Sequence, residues 1–249
     1  MTHILLLGGT TEASQMARVL ADAGMRAVFS YAGRTHDPVS QPLPLRVGGF
    51  GGVAGLKDYL RTGAITHVID ATHPFAAQMS RNAHAACTAC GTPLVRLERP
   101  PWTPEPTDTW QIVPNMDALP NALSDTPARV FLAIGKQNLD LFACKPQHHY
   151  LLRLVDPPTV PIPLPHHTIT LARGPFDVAG DTALLQQHKI THIVAKNAGG
   201  TGAAAKLIAA RNLGLAVILA QRPVLPVVPT ANSTEDVMRW LSHEADRGV

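Results

Sequence analysis

Along most of the chain, short apolar runs rich in β-branched residues alternate with stretches in which apolar positions recur every three to four residues. Strand-like runs fall at residues 3–7, 27–31, 67–70, 94–97, 110–113, 130–134, 150–154, 168–171, 192–195 and 216–219. Helical patterns fall between them at 12–23, 53–60, 75–89, near 116–123, near 138–142, at 177–188, at 203–212, and from 234 onward. Strands that alternate with helices predict parallel sheets joined by helical crossovers, with ligands held outside the carboxyl ends of the strands. Residues 99–106 carry four prolines and no periodicity, which predicts a linker. A proline-rich loop is also expected at 157–165.

The break divides the chain into an N-terminal half, 1–98, and a C-terminal half, 99–249, each α/β, with a ligand cleft expected between them. A length of 249 residues and a hydrophobic fraction of 45% suit two such domains with filled cores. No run reaches the roughly 20 apolar residues of a membrane span, and the amino end lacks a basic segment before its apolar run, so the expectation is a soluble, cytoplasmic protein with no membrane partner. The net charge of +3 fits an anionic ligand, but aromatic residues are only 5% and the cations are scattered, which argues against nucleic acid. Cys87, Cys90 and Cys144 include one CxxC pair without two further ligands at zinc spacing, so no metal site is expected; Cys87 and Cys90 read as small apolar residues on a helix.

The first strand runs into Gly8-Gly9-Thr10-Thr11-Glu12-Ala13, where glycines permit close backbone approach and the free N–H groups of a helix start face an anion. The fingerprint G-x-G-x-x-G is absent, and such a turn with a hydroxyl cap also arises for structural reasons. At the end of the second strand, Ser30-Tyr31-Ala32-Gly33-Arg34 stands where an NAD-binding domain usually has an acidic residue; a hydroxyl and a guanidinium suit the 2′-phosphate of NADP(H) better. Arg34 is otherwise a solvated loop cation. Gly48-Gly49-Phe50-Gly51-Gly52 is either a close approach to another chain segment or a ligand, or a flexible turn. Asp70-Ala71-Thr72-His73-Pro74-Phe75 follows the third strand, with Thr72 able to cap and Pro74 near the first helical position. His73 either caps or packs there, or points its ring into the same crevice.

Taken in order, these blocks together with Arg99-Pro100-Pro101-Trp102, Arg173-Gly174-Pro175-Phe176, Lys196-Asn197-Ala198-Gly199-Gly200 and Arg222-Pro223 resemble the precorrin-6A reductase family (CobK/CbiJ) over nearly the whole chain. The resemblance implies two Rossmann-like domains in which NADPH gives hydride to a double bond of precorrin-6A, forming precorrin-6B in cobalamin biosynthesis, without metal or flavin. The product would pass to other corrin-pathway enzymes. Two departures stand out: Ala198 replaces a serine usual in the family, and the glutamate usual shortly after the Arg-Gly-Pro-Phe block is missing, with Asp181 the acid taken to stand in its place.

On this reading Gly8, Gly9, Thr10, Thr11, Glu12, Ser30, Arg34, Gly49, Phe50, Gly51 and Thr72 are the candidate cofactor contacts. A tetrapyrrole rich in carboxylates calls for cations and backbone N–H groups, for which Lys136, Arg153, Arg173, Lys196, Asn197, Gly199 and Gly200 are the candidates. Asp70 and His73 are the titratable groups nearest the expected nicotinamide, although solvent could supply the proton. The alternatives are a cobalt-precorrin-6A reductase, a reductase of a smaller anionic substrate on the same architecture, and an NADP(H)-sensing module without turnover.

Overall fold

The computed structural model describes residues 2–33 and 39–247, with side chains through Glu244. The chain forms two compact units, one from Met1–Pro100 with Val224–Val249, the other from Pro101–Pro223.

The first unit holds β1 (Ile4–Leu7), α1 (Thr11–Asp22), β2 (Ala27–Tyr31), β3 (Leu45–Val47), α2 (Gly52–Thr62), β4 (His67–Asp70), α3 (Ala77–Cys90) and β5 (Leu94–Leu97). The second holds β6 (Trp110–Val113), β7 (Arg129–Ala133), β8 (His149–Leu154), β9 (His167–Leu171), α4 (Val178–Gln187), β10 (His192–Lys196), α5 (Ala205–Leu213) and β11 (Ala216–Ala220). The chain ends with β12 (Thr230–Ala231) and α6 (Thr234–Arg247), both in the first unit.

The first sheet runs β3-β2-β1-β4-β5-β12 and every pairing in it is parallel. Its central strand β1 is buried throughout because both faces are covered, and its side chains alternate between two cores. Ile4 and Leu6 pack with Met16 and Leu20 of α1 and with Val237 and Leu241 of α6. Leu5 and Leu7 pack with Leu56 and Leu60 of α2 and with Ala83 and Cys87 of α3. The second sheet runs β9-β8-β7-β10-β11-β6, again all parallel, with Phe131, Leu151, Ile193 and Leu219 packed against Leu185 of α4 and Leu207 of α5.

Several elements differ from expectation. The C-terminal half does not continue unbroken to 249, because β12 pairs with β5 and α6 buries Val237 and Leu241 in the first core, a gain of roughly 1.5–3 kcal/mol per side chain. The helix expected near 116–123 is reduced to a 3-10 turn at Pro120–Ala122, and that near 138–142 to a 3-10 segment at Lys136–Cys144, interrupted at Asn138 by a non-helical backbone. Helix α3 begins at Ala77, later than residue 75, after a turn in which the Ala76 N–H donates to the His73 carbonyl. Strands β3 and β12 were not anticipated: β3 is a three-residue strand at the sheet edge with Leu45 and Val47 exposed, and β12 has two residues.

Candidate functional site

In the first unit, β1 has β2 on one side and β4 on the other, so the chain leaves this centre in opposite directions and a crevice opens at the carboxyl ends of β1 and β4. The residues after β1 and β4 are tied there by one hydroxyl. Thr10 caps α1 by accepting the Ala13 N–H (3.1 Å) and donates to the Ala71 carbonyl (2.8 Å). That leaves the first-turn N–H groups at Thr11 and Glu12 for an anion. Gly9 has φ +124 with open space where a Cβ would stand, as a cradle for pyrophosphate requires. Gly8 answers to packing as well: an added Cβ would lie 2.1 Å from the Phe29 ring. The Glu12 carboxylate is held by Arg99.

Asp70 is 1% exposed and works beneath the second turn. Its Oδ1 accepts from the Thr72 hydroxyl (2.7 Å) and N–H (3.2 Å), while Oδ2 lies 3.7 Å from Arg96 Nε. It thereby sets the position of Thr72 and the residues that follow. His73, half-buried, accepts the Phe75 N–H at Nδ1 (3.1 Å), so the neutral ring carries its proton on Nε2. Cys87 behind this turn has its thiol pushed up to about 12, first by burial and then by Cys90 and Asp70, in keeping with a small apolar role.

At the ends of β2 and β3, Ser30 is register partner to Arg46, and Ser30 is 4% exposed. Arg46 was absent from the expected set; the sequence carried no periodic signal for a strand there. Its guanidinium lies 3.7 Å from the Phe50 ring centroid, Phe50 meets Tyr59 edge to face, and Nη2 donates to the Gly49 carbonyl (2.8 Å). Gly51 has φ +79 and opens directly into α2. Arg34 lies outside the described residues.

In the second unit the equivalent centre is between β7 and β10. Lys136 follows Gly135 at the end of β7 and is exposed; Lys196 ends β10 and is half-buried; Arg173 is exposed between β9 and α4. Arg153 is engaged from behind: it pairs with Asp181, 3% exposed, and stacks 3.6 Å from the Phe176 ring centroid. The acid that matched the family pattern is thus the counter-ion of Arg153, and Asp177 caps α4 by accepting the Gly180 N–H.

Asn197 uses its amide as a two-sided clamp on Trp102, accepting from its N–H (2.8 Å) and donating to its carbonyl (2.9 Å). The Trp102 indole N–H donates to the Gly200 carbonyl (2.7 Å), and Arg222 donates to the carbonyls of Asn197 and Ala198 (3.0 Å each). Three blocks far apart in sequence are therefore one assembly that shapes the loop Asn197–Gly200, in which Gly199 and Gly200 take positive φ. These bonds engage the Asn197 amide and the carbonyls of Asn197, Ala198 and Gly200, so none of them needs a hydroxyl at 198.

Among the described residues no group of three or more His, Cys, Asp or Glu side chains could hold a metal, and no helix is long and apolar enough to cross a membrane.

The family described as precorrin-6x reductase CbiJ/CobK matches residues 3–242. Precorrin-6A reductase of Rhodobacter capsulatus is 62% identical over 249 residues, covering 100% of this chain and 98% of the relative. Precorrin-6A reductase of Rhodococcus erythropolis is 47% identical, covering 95% of each. A solved structure of CobK precorrin-6A reductase superposes with a TM-score of 0.95 at 62% identity, covering 98% of this chain and 97% of that one. With two parallel α/β units, the paired glycine turns and these matches in hand, the chain belongs to the precorrin-6x reductase CbiJ/CobK family.

Proposed function

We propose that this protein is an NADPH-dependent reductase that adds hydride and a proton across a double bond of precorrin-6A, giving precorrin-6B in cobalamin biosynthesis. The observation that carries the reading is the turn at the β1 and β4 ends, where Thr10 joins the glycine turn to Ala71 beside an open Gly9. Bound reduced nicotinamide supplies the hydride. The protein's share is to hold the pyrophosphate on the α1 amino end, to keep the Thr72–His73 turn fixed through Asp70, and to bind substrate carboxylates with Lys136, Arg173, Lys196 and the N–H groups at Gly199 and Gly200. His73 is the proton donor of this reading in its imidazolium form, which releases the Phe75 N–H from Nδ1 while charged and returns to the neutral ring once the proton has passed; Asp70, buried against Arg96 and Thr72, positions the turn. Arg153 and Asn197 act from behind the surface, through Asp181 and Trp102.

Both curated relatives above are named for precorrin-6A rather than a cobalt form, which favours a metal-free substrate. A cytoplasmic location and hand-off of the product to other corrin-pathway enzymes go with this reading. The test is anaerobic absorbance spectroscopy with precorrin-6A and either NADPH or NADH. Loss of the reduced-nicotinamide band with NADPH, much slower with NADH, is the expected result. No oxidation with either nucleotide, followed by turnover of cobalt-precorrin-6A, would move the assignment to the metal-bearing substrate; binding of NADPH without turnover of any tetrapyrrole would make the chain a sensor.

A further inference from the structure

The second strand of a dinucleotide-binding sheet ends where the adenosine ribose lies, and the groups there decide between a 2′-hydroxyl and a 2′-phosphate. Here the loops after β2 and β3 run against each other. The Gly48 N–H donates to the Tyr31 carbonyl (2.9 Å), and a Cβ on Gly33 would stand 3.5 Å from Gly48 Cα, an ordinary contact, so these turns need glycine for their positive φ. Strand pairing puts Arg46 directly beside Ser30, and its Nη1 reaches the Ser30 hydroxyl (3.4 Å) and the Gly48 carbonyl.

Among the described residues four buried or partly buried arginines have a carboxylate: Arg96 has Asp70, Arg99 has Glu12, Arg153 has Asp181 and Arg211 has Asp108. Arg46 is held differently. Its partners among the described residues are a hydroxyl, two backbone carbonyls and the faces of Phe50 and Tyr59, all of which fix the guanidinium in place and leave its positive charge uncompensated. Of its five N–H donors, these contacts occupy two on Nη1 and one on Nη2, leaving Nε–H and a second Nη2–H for a ligand. A rigid, half-buried cation with spare donors, at the position where an acidic residue would select NAD(H), is suited to a phosphate dianion.

We infer that Arg46, stacked on Phe50 and braced by Ser30 and the Gly48–Gly49 carbonyls, is the residue that reads the 2′-phosphate of NADP(H). This rests on the NADPH reading above and assigns its selectivity to a residue on β3 that the sequence did not single out.

The test is calorimetric titration of the full-length protein with NADP+ and NAD+, which differ only in the 2′-phosphate and need no tetrapyrrole. The unaltered protein is expected to prefer NADP+ by about 10-fold or more. In Arg46→Gln the preference falls to within about twofold while NAD+ affinity holds, because only the phosphate contact is lost. Arg46→Lys, which keeps the charge without the planar fork, restores part of the preference. Ser30→Asp gives Arg46 a counter-ion and lowers NADP+ affinity selectively, which keeps the test decisive even where Arg46→Gln disturbs the glycine loop and weakens both nucleotides. A preference that survives in Arg46→Gln, or an unchanged ratio in Ser30→Asp, overturns the inference; collapse in Arg34→Gln alone would move the role to Arg34. Absence of any preference in the unaltered protein refutes instead the NADPH reading on which the inference rests.

Discussion

The two units share one strand order and differ at the place where that order matters. In each, a central strand is flanked by the next strand in sequence on one side and by a later one on the other, and a sixth strand closes the edge: β12 from the chain's end in the first unit, β6 from ahead of the sheet in the second. After β1 comes a 12-residue α-helix with a threonine cap and an open glycine. After β7 comes a 3-10 segment broken at Asn138, with no side-chain cap. An ordered helix start aims several N–H groups at one anion, and an interrupted 3-10 segment does not. Common topology thus provides two crevices, and the strand that starts each one is followed by an ordered helix start only in the first. The second instead shapes its β10 loop with Trp102, Asn197 and Arg222, and presents lysines.

The sharpest way to break the comparison is through the buried ion pair each unit contains. Asp70→Ala and Asp181→Ala each strand a mostly buried arginine and are expected to cost about 3–5 kcal/mol in urea unfolding. Only Asp70→Ala should also weaken NADP+ binding, since it releases the Thr72 turn; equal loss of binding in both variants would show that the units do not divide the labour. Next in size, His73→Ala is expected to lower turnover about 100-fold with little change in NADPH affinity. Stopped-flow single turnovers would measure it, and an unchanged rate would assign the proton to solvent.

A third pair of variants contrasts the two loops. Asn197→Ala leaves the Trp102 N–H and carbonyl without their partners and should destabilise by about 2 kcal/mol, raising KM for the tetrapyrrole while sparing nucleotide affinity. Thr10→Val should cost about 1 kcal/mol through the lost cap, with the reverse division between the two ligands.

The smallest effect at neutral pH belongs to the histidines. In the second unit burial holds His148, His149 and His192 below their ordinary value of 6.5, helped for His148 by Lys145 and for His149 by Arg129; in the first unit burial lowers His67. His148 is fully buried, and its Nδ1 accepts the Ala128 N–H, a bond that protonation there would break. Folded-state values below the unfolded ones mean that the unfolded chain binds protons the folded chain refuses. This contribution is complete above about pH 6.5 and is lost as the pH falls below it. Hydrogen exchange between pH 7.5 and 5.5, corrected for intrinsic rates, should show β7, β8 and β10 opening before the first sheet; simultaneous opening would contradict this.

Much of the architecture could be read from the chain because parallel strands buried on both faces are nearly continuous apolar runs, as at Ile4–Leu7 and Val130–Leu132. The glycine turns after β1 and β10 were legible for a related reason: positive φ and close approach leave few alternatives to glycine. Residues whose importance comes from a distant partner were not legible. Arg46 sits in a proline-bounded stretch with exposed neighbours, and only pairing with β2 brings it to Ser30. The pairing of Arg153 with Asp181 and its stacking on Phe176 join residues more than twenty positions apart, which no local pattern announces. β12 is too short to carry a pattern, so the return of the chain's end to the first unit could not be foreseen.

By itself, then, the sequence determined the class of fold, the sites of the two glycine turns and the family, because backbone propensity, burial pattern and glycine's freedom act within a few residues. The tertiary structure alone decided which charges pair with one another, and to which sheet the last strand and helix belong. Those outcomes depend on contacts between residues dozens of positions apart, and no local pattern encodes them.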